Sequence, residues 1–345
     1  MRQARPRSAA ELGELLRSRP GRLRLVGGGS RQDQLPPAGD AVHVHLDGLA
    51  TIARLDAGDQ TCSVDCGVRR EVLDEALAAV GLELPCPGGG TLGGLFASDA
   101  IGAAAHGGLG PRSLLLGMDA MLADGTPFKS GARVVKSVAG FDVHKLFVGS
   151  QGRLFAALRL HLRLKPRPRA EQWFANADLT RDAALALVRA LRSTPVSPAA
   201  LQLLQHADGR CAVGGRIAGR AAFVAATVRT LGLVPSAPSW RDQLELPAGG
   251  ESLTGLAVPS ALPTLLAQLP RATTFLWHGG GRFEATVPDA AAGDLLLATL
   301  AGQQLHGCVR RGDAARRGRG TPPDPGHRRL VDGLHLALDP HGLLV

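Results

Sequence analysis

"PCPGGGTLGGLFASDAIG", residues 85–102, is the stretch on which the fold turns. It packs three glycines between a proline pair and a threonine-headed apolar run that carries two more. It formally contains G-x-G-x-x-G (88–93), but a helix and Pro-Cys-Pro precede it rather than a strand, so a Rossmann phosphate turn is excluded. Two more glycine corners flank it. "RLVGGGSRQ" (24–32) follows a short strand, with Gln32 where a third Rossmann glycine would stand. "VKSVAGFDVHKLFVGSQGRLF" (135–155) places glycines at 140, 149 and 152. None is followed by Gly-Lys-Ser/Thr, so no Walker A loop is present. Consecutive amides in such corners form concave nests for phosphate oxygens, and a Cβ would keep the anion away. Three nests within one half of the chain predict a binding surface made of main chain.

The 345 residues suffice for two domains. Glycine numbers 45, well above the average of about 7%, and it is clustered rather than periodic. The net charge of +9 suggests a nucleic-acid ligand, yet only Lys129, Lys136, Lys145 and Lys165 among 39 basic residues are lysines, and tyrosine is absent. Without aromatics interleaved among the cations, stacking platforms for bases are missing, and no nucleic-acid partner is expected. The basic run 310–320 reads as a solvated loop. Five cysteines without a C-x-x-C exclude a cluster or structural zinc and suit a reducing compartment. The N-terminus lacks an apolar signal region and no apolar run reaches spanning length, so a cytoplasmic chain is expected, meeting a membrane only through a partner.

Capping and periodicity predict an amphipathic helix after Ser8 with Glu11 completing a capping box, strands over 22–26, 41–56 and 60–68, and a helix over 70–81. "LRLHLRLK" (158–165) alternates as a strand with one buried face. "KPRPRAEQ" (165–172) is the best boundary. It divides a glycine-rich domain, 1–168, from a smaller α+β unit, 169–345, with helices over 181–193 and 219–232. Asp142 is positioned to N-cap the turn after it, and Gly149 to end it.

These motifs, in this order, resemble the FAD-binding domain of the vanillyl-alcohol oxidase or PCMH-type flavoproteins over about residues 20–166. The resemblance implies an α+β fold in which two subdomains hold FAD, followed by a smaller α+β cap. It implies cofactor contacts from Gly27, Gly28, Gly29 and Ser30, from Thr91, Gly93, Gly94 and Ser98, and from Gly140, Phe141, Asp142 and Gly149. Phe141 replaces a usual tyrosine and Gln151 a frequent glutamate. With neither His nor Cys in "GGGSRQDQ", the FAD is expected to be non-covalent. Within the family the wording is most similar to the E subunit of bacterial glycolate oxidases, which implies oxidation of glycolate to glyoxylate. A larger FAD-containing catalytic subunit and an iron–sulfur subunit would then be partners.

For 2-hydroxyacid chemistry an arginine clamps the carboxylate and a base takes the hydroxyl proton. His278 and Arg282, in "FLWHGGGRF" (275–283), are the candidate pair. A self-contained dehydrogenase for another D-2-hydroxyacid, or a flavin-binding subunit without turnover, are the alternatives. His43, His45 and Asp47 share a strand face and read as exposed polar groups rather than a metal site, and no metal is expected. His106 reads as a loop residue in preference to a flavin neighbour, and Arg112 equally as a cofactor neighbour or a surface residue.

Overall fold

The computed structural model describes residues 2–345 apart from 87, 101, 108, 133–140, 196 and 238–248. Its first half carries two main sheets. A parallel one joins β1 (Gln3–Ala4), β2 (Leu23–Val26) and β3 (Val42–His45) in the order β1-β3-β2, with α1 (Ala9–Ser18) between its first two strands. Ser8 caps α1 by accepting from the Glu11 N–H, and the Glu11 carboxylate reaches back to the N–H of Arg7. An antiparallel sheet then uses β4 (Ile52–Asp56) and β5 (Thr61–Asp65), followed by α2 (Arg70–Ala78), β6 (Leu82–Glu83), α3 (Leu92–Ala97) and α4 (Pro111–Leu114). It is completed by β7 (Leu115–Met121), β8 (Pro127–Gly131) and β9 (Ala156–Arg163), in the order β4-β5-β9-β7-β8. The alternation of β9 puts it at the centre, with Leu160 and Leu162 fully buried.

β10 (Lys165–Pro166) pairs with β6, and the chain passes into one seven-stranded antiparallel sheet. Its elements are β11 (Ala170–Leu179), α5 (Arg181–Arg192), β12 (Ala200–Gln205), β13 (Cys211–Gly219), α6 (Ala221–Thr230), β14 (Glu251–Leu256), α7 (Leu262–Ala267), β15 (Thr274–His278), β16 (Arg282–Val287), α8 (Ala290–Gly302) and β17 (His306–Arg311). The strand order is β11-β13-β12-β15-β16-β14-β17. Leu203, Phe275, Trp277, Phe283 and Val309 face the helices and form the core. By the two-residue period, Gln202, His278, Arg282, Glu284 and Arg310 lie on the opposite face.

The last helix, α9 (Pro325–Leu338), leads the chain back to the first half. The Asp339 carboxylate accepts from the N–H groups of Leu343 (2.9 Å) and Leu344 (2.7 Å), bending the tail against β2. There Leu23 donates to Leu343 O (2.7 Å) and Val345 donates to Leu23 O (2.9 Å). Leu343 and Leu344 thereby join the core built by residues 12–164.

One local expectation is corrected. The turn Val143–Leu146 is a short 3-10 helix, but the Asp142 side chain makes no capping bond. The Ser130 hydroxyl of β8 accepts from the His144 N–H (3.0 Å) instead, so the cap comes from a neighbouring strand. Gly149 does end the segment, at φ +84°.

Candidate flavin and substrate site

The three glycine corners meet. Thr91 caps α3, its hydroxyl accepting from the Gly94 N–H (3.4 Å), and the same oxygen accepts from the Gly28 N–H (3.2 Å) across 63 residues. A Cβ on Gly27 would stand 2.1 Å from that oxygen, so only glycine lets the two corners close. Gly93 lies against Cys66, where a Cβ would be 2.8 Å from the cysteine's own. The Arg31 guanidinium donates to Gly89 O (3.3 Å), and Ser30 Oγ is close beside Gly90. The third corner docks on the end of α3, with Gly149 N–H donating to Phe96 O (3.3 Å) and Gln151 N–H to Ala97 O (2.9 Å). A cavity of about 50 Å³ remains among Val26, Gly27, Gly93, Gly94, Phe147 and Gly152.

Gly27, Gly28, Gly29, Ser30, Thr91, Gly93, Gly94, Ser98 and Gly149 are thus brought into one region. Phe141 is 93% exposed and Asp142 is also exposed, and among the described residues no hydrogen bond or ion pair joins either to these corners. Gly140 lies outside the described residues.

The open face of the seven-stranded sheet lies against the same region. Arg310 Nη2 donates to Ser98 O (3.3 Å), Arg311 pairs with Asp33 (2.7 Å) and Arg282 pairs with Asp99. Asp99 holds a left-handed backbone, φ +50°, at the turn after α3. Gly279 and Gly280 pack on His106 and Ala105, where any Cβ would come within 2.9 Å of them. His106 itself is occupied, its Nε2 within 3.0 Å of Ser197 Oγ, and Arg112 donates to Lys145 O (2.8 Å). Both fit the structural reading.

His278 is 4% exposed, and burial, with Arg282 adding to it, pushes its pKa down to about 4. Gln202 Nε2 donates to its Nδ1 (3.2 Å), which leaves the ring proton on Nε2. That Nε2, like Arg282 Nε, is buried and has no protein partner among the described residues. Orphaned buried donors are expected where a ligand completes them.

Sequence reading overlooked Arg31, Asp99, Arg310 and, above all, Glu284. The alternation of β16, "RFEATV", carried the signal: Phe283, Ala285 and Val287 are core, so Glu284 shares the open face with Arg282. Its carboxyl is reached by solvent but crowded by protein. Lost hydration raises its pKa above the ordinary carboxylate value, while Arg310, Arg311, Arg282 and Arg31 oppose the rise. Among the described residues no three His, Cys, Asp or Glu side chains are grouped to hold a metal ion.

Residues 3–131 match the family model described as an FAD binding domain. This part of the chain is similar to PCMH-type FAD-binding domains. Its nests and orphaned donors fit that cofactor. The chain is related to FAD-linked oxidoreductases. Glycolate oxidase subunit GlcE of Escherichia coli is 31% identical over 34% of this chain and 35% of its own length. D-lactate dehydrogenase [cytochrome] 1, mitochondrial, of Saccharomyces cerevisiae is 31% identical over 46% of this chain and 28% of its own. Subunit GlcD of Bacillus subtilis is 30% identical over 28% and 20%. The matched segments thus span no more than about a third of these relatives. The whole fold is that of a solved alkyldihydroxyacetonephosphate synthase, with a TM-score of 0.73 at 14% identity, covering 99% of this chain and 76% of that one. No helix among the described residues is long and apolar enough to cross a membrane.

Proposed function

We propose that the chain is an FAD-binding subunit of a 2-hydroxyacid oxidoreductase, oxidising glycolate to glyoxylate and passing electrons to an iron–sulfur partner beside a larger flavin subunit. The observation that carries this is the meeting of the diphosphate nests with an arginine-rich sheet face bearing unpaired donors. Bound FAD would supply the hydride acceptor. Gly27, Gly28, Gly29 and Ser30, with Thr91, Gly93, Gly94, Ser98 and Gly149, would hold it. Cys66 and Cys86 are buried thiols pushed up to about 12, too high for the thiolate that a covalent flavin link requires, which supports non-covalent FAD. The cap would begin near residue 169, while residues 343–345 return to the flavin domain.

On this reading Arg282, fixed by Asp99, binds the substrate carboxylate. Neutral His278, with Gln202 holding its tautomer, donates from Nε2 to a substrate oxygen. The D-lactate dehydrogenase relative favours a second substrate, D-lactate. Purified protein would be mixed anaerobically with glycolate or D-lactate while flavin absorbance is followed. Bleaching by glycolate is expected; bleaching by D-lactate alone selects the second reading, and flavin unaffected by either defeats both.

A further inference from the structure

We propose that Glu284 is the proton acceptor of the site, taking the hydroxyl proton of a 2-hydroxyacid whose carboxylate is held by the arginines around it. The inference rests on the reading above, and it begins with position. In register, Glu284 stands opposite Leu276 of β15 and Thr254 of β14, so it lies in the middle of the open face rather than at its edge. His278 and Arg282 occupy the next step along the same two strands. Three side chains of different chemistry therefore share one patch: a cation, a neutral donor and a carboxylate.

The neighbours decide which one can accept a proton. From β16 comes Arg282, already bound to Asp99; from β15, His278; from β17, Arg310 on Ser98 O and Arg311 on Asp33; from the flavin domain, Arg31 on Gly89 O. All the cations are donors only. His278 uses Nδ1 to accept from Gln202, so its remaining nitrogen carries a proton already. Asp33 and Asp99 are engaged in ion pairs. Glu284 has neither a hydrogen bond nor an ion pair among the described residues, and its carboxylate is reached by solvent. A carboxylate left unpaired amid four guanidiniums is not serving as a structural counter-ion. Reduced hydration also moves it toward the working pH, as a general base requires.

The step balances. The substrate C–H bond breaks and its electron pair leaves as hydride to the bound FAD. The O–H bond breaks, its proton goes to a Glu284 oxygen, and the carbon–oxygen double bond forms.

The test uses the FAD-loaded wild type and two variants, Glu284→Gln and Glu284→Asp, with glycolate for reduction and oxalate as a non-reacting dianion. Glu284→Gln should keep its flavin and bind oxalate as tightly or more so, because a repelling charge is gone. It should be reduced about 10²- to 10⁴-fold more slowly. Wild-type reduction should rise with pH through the Glu284 pKa and level off, and this limb should vanish in Glu284→Gln. Glu284→Asp should recover part of the rate and keep a limb. Reduction of Glu284→Gln at the wild-type rate, with the limb intact, would overturn the assignment. Weakened oxalate binding that accounts for the slower rate would overturn it too, since the residue would then merely shape the site. Wild-type flavin that no hydroxyacid bleaches defeats the functional reading itself, an outcome seen before any variant is made.

Discussion

Gly27 and Thr91 show how far single residues were legible. The sequence marks both, because a Gly-Gly-Gly corner and a Thr ahead of an apolar run each have a local cause. It does not say that the Thr91 hydroxyl serves both segments at once. Gly27→Ala would force its methyl into Thr91 Oγ1, so we expect a folded protein that no longer retains FAD on gel filtration. Thr91→Val should cost about 1 kcal/mol in urea unfolding through the lost cap, and weaken FAD retention as well. His278 carries a pH signature. Its folded pKa of about 4 lies below the 6.5 of a free histidine, so the unfolded chain binds more protons between those values. The stability that burial of the neutral ring allows is complete above about pH 6.5, falls as pH drops, and stops falling near pH 4. The loss should be on the order of 3 kcal/mol, and urea titrations of His278→Gln should lack it. Asp142 marks the limit of local reading: its capping role passed to Ser130, on another element, which residue spacing could not announce.

At the scale of elements, period-two alternation was the dependable signal. It marked β9 as a strand with one buried face, and it could have exposed Glu284 had β16 been read as thoroughly. Glycine inside "WHGGGRF" had a different cause from glycine in the nests. Gly279 and Gly280 are small so that the β15–β16 corner can touch Ala105 and His106 in the flavin domain, a contact with no local sequence mark. The tail is a further example. Asp339, just past α9, is the hook that seats residues 343–345 on β2. Asp339→Ala leaves two buried N–H groups without their charged acceptor. We expect about 2 kcal/mol of destabilisation, read as a lower urea midpoint with unchanged slope.

Across the whole molecule, the two halves are held by more than the flavin region. Arg216 of β13, only 4% exposed, makes a two-point ion pair with Glu83 of β6 (2.9 and 3.2 Å), a second with Glu171 (3.0 Å), and sits over Trp173. Arg216→Ala leaves the half-buried Glu83 beside a gap. The cost should be about 3–5 kcal/mol, and calorimetry should resolve two unfolding transitions where the wild type shows one. Glu83→Gln, which keeps the shape, should fall between them.

The sequence by itself determined that main-chain corners would form nests for phosphate oxygens, because a nest is built from neighbouring amides and the absence of Cβ atoms; the flavin came from the family resemblance. It also determined most helices and strands, since caps and periods act within a few residues. Only the tertiary structure decided which side chains the second sheet brings to the glycine corners. Arg282 with Asp99, Arg310 with Ser98 and the unpaired Glu284 are set by how one sheet face lies on a loop some 200 residues earlier. Charge and burial in such a cleft come from the meeting of distant surfaces, and no local pattern encodes them.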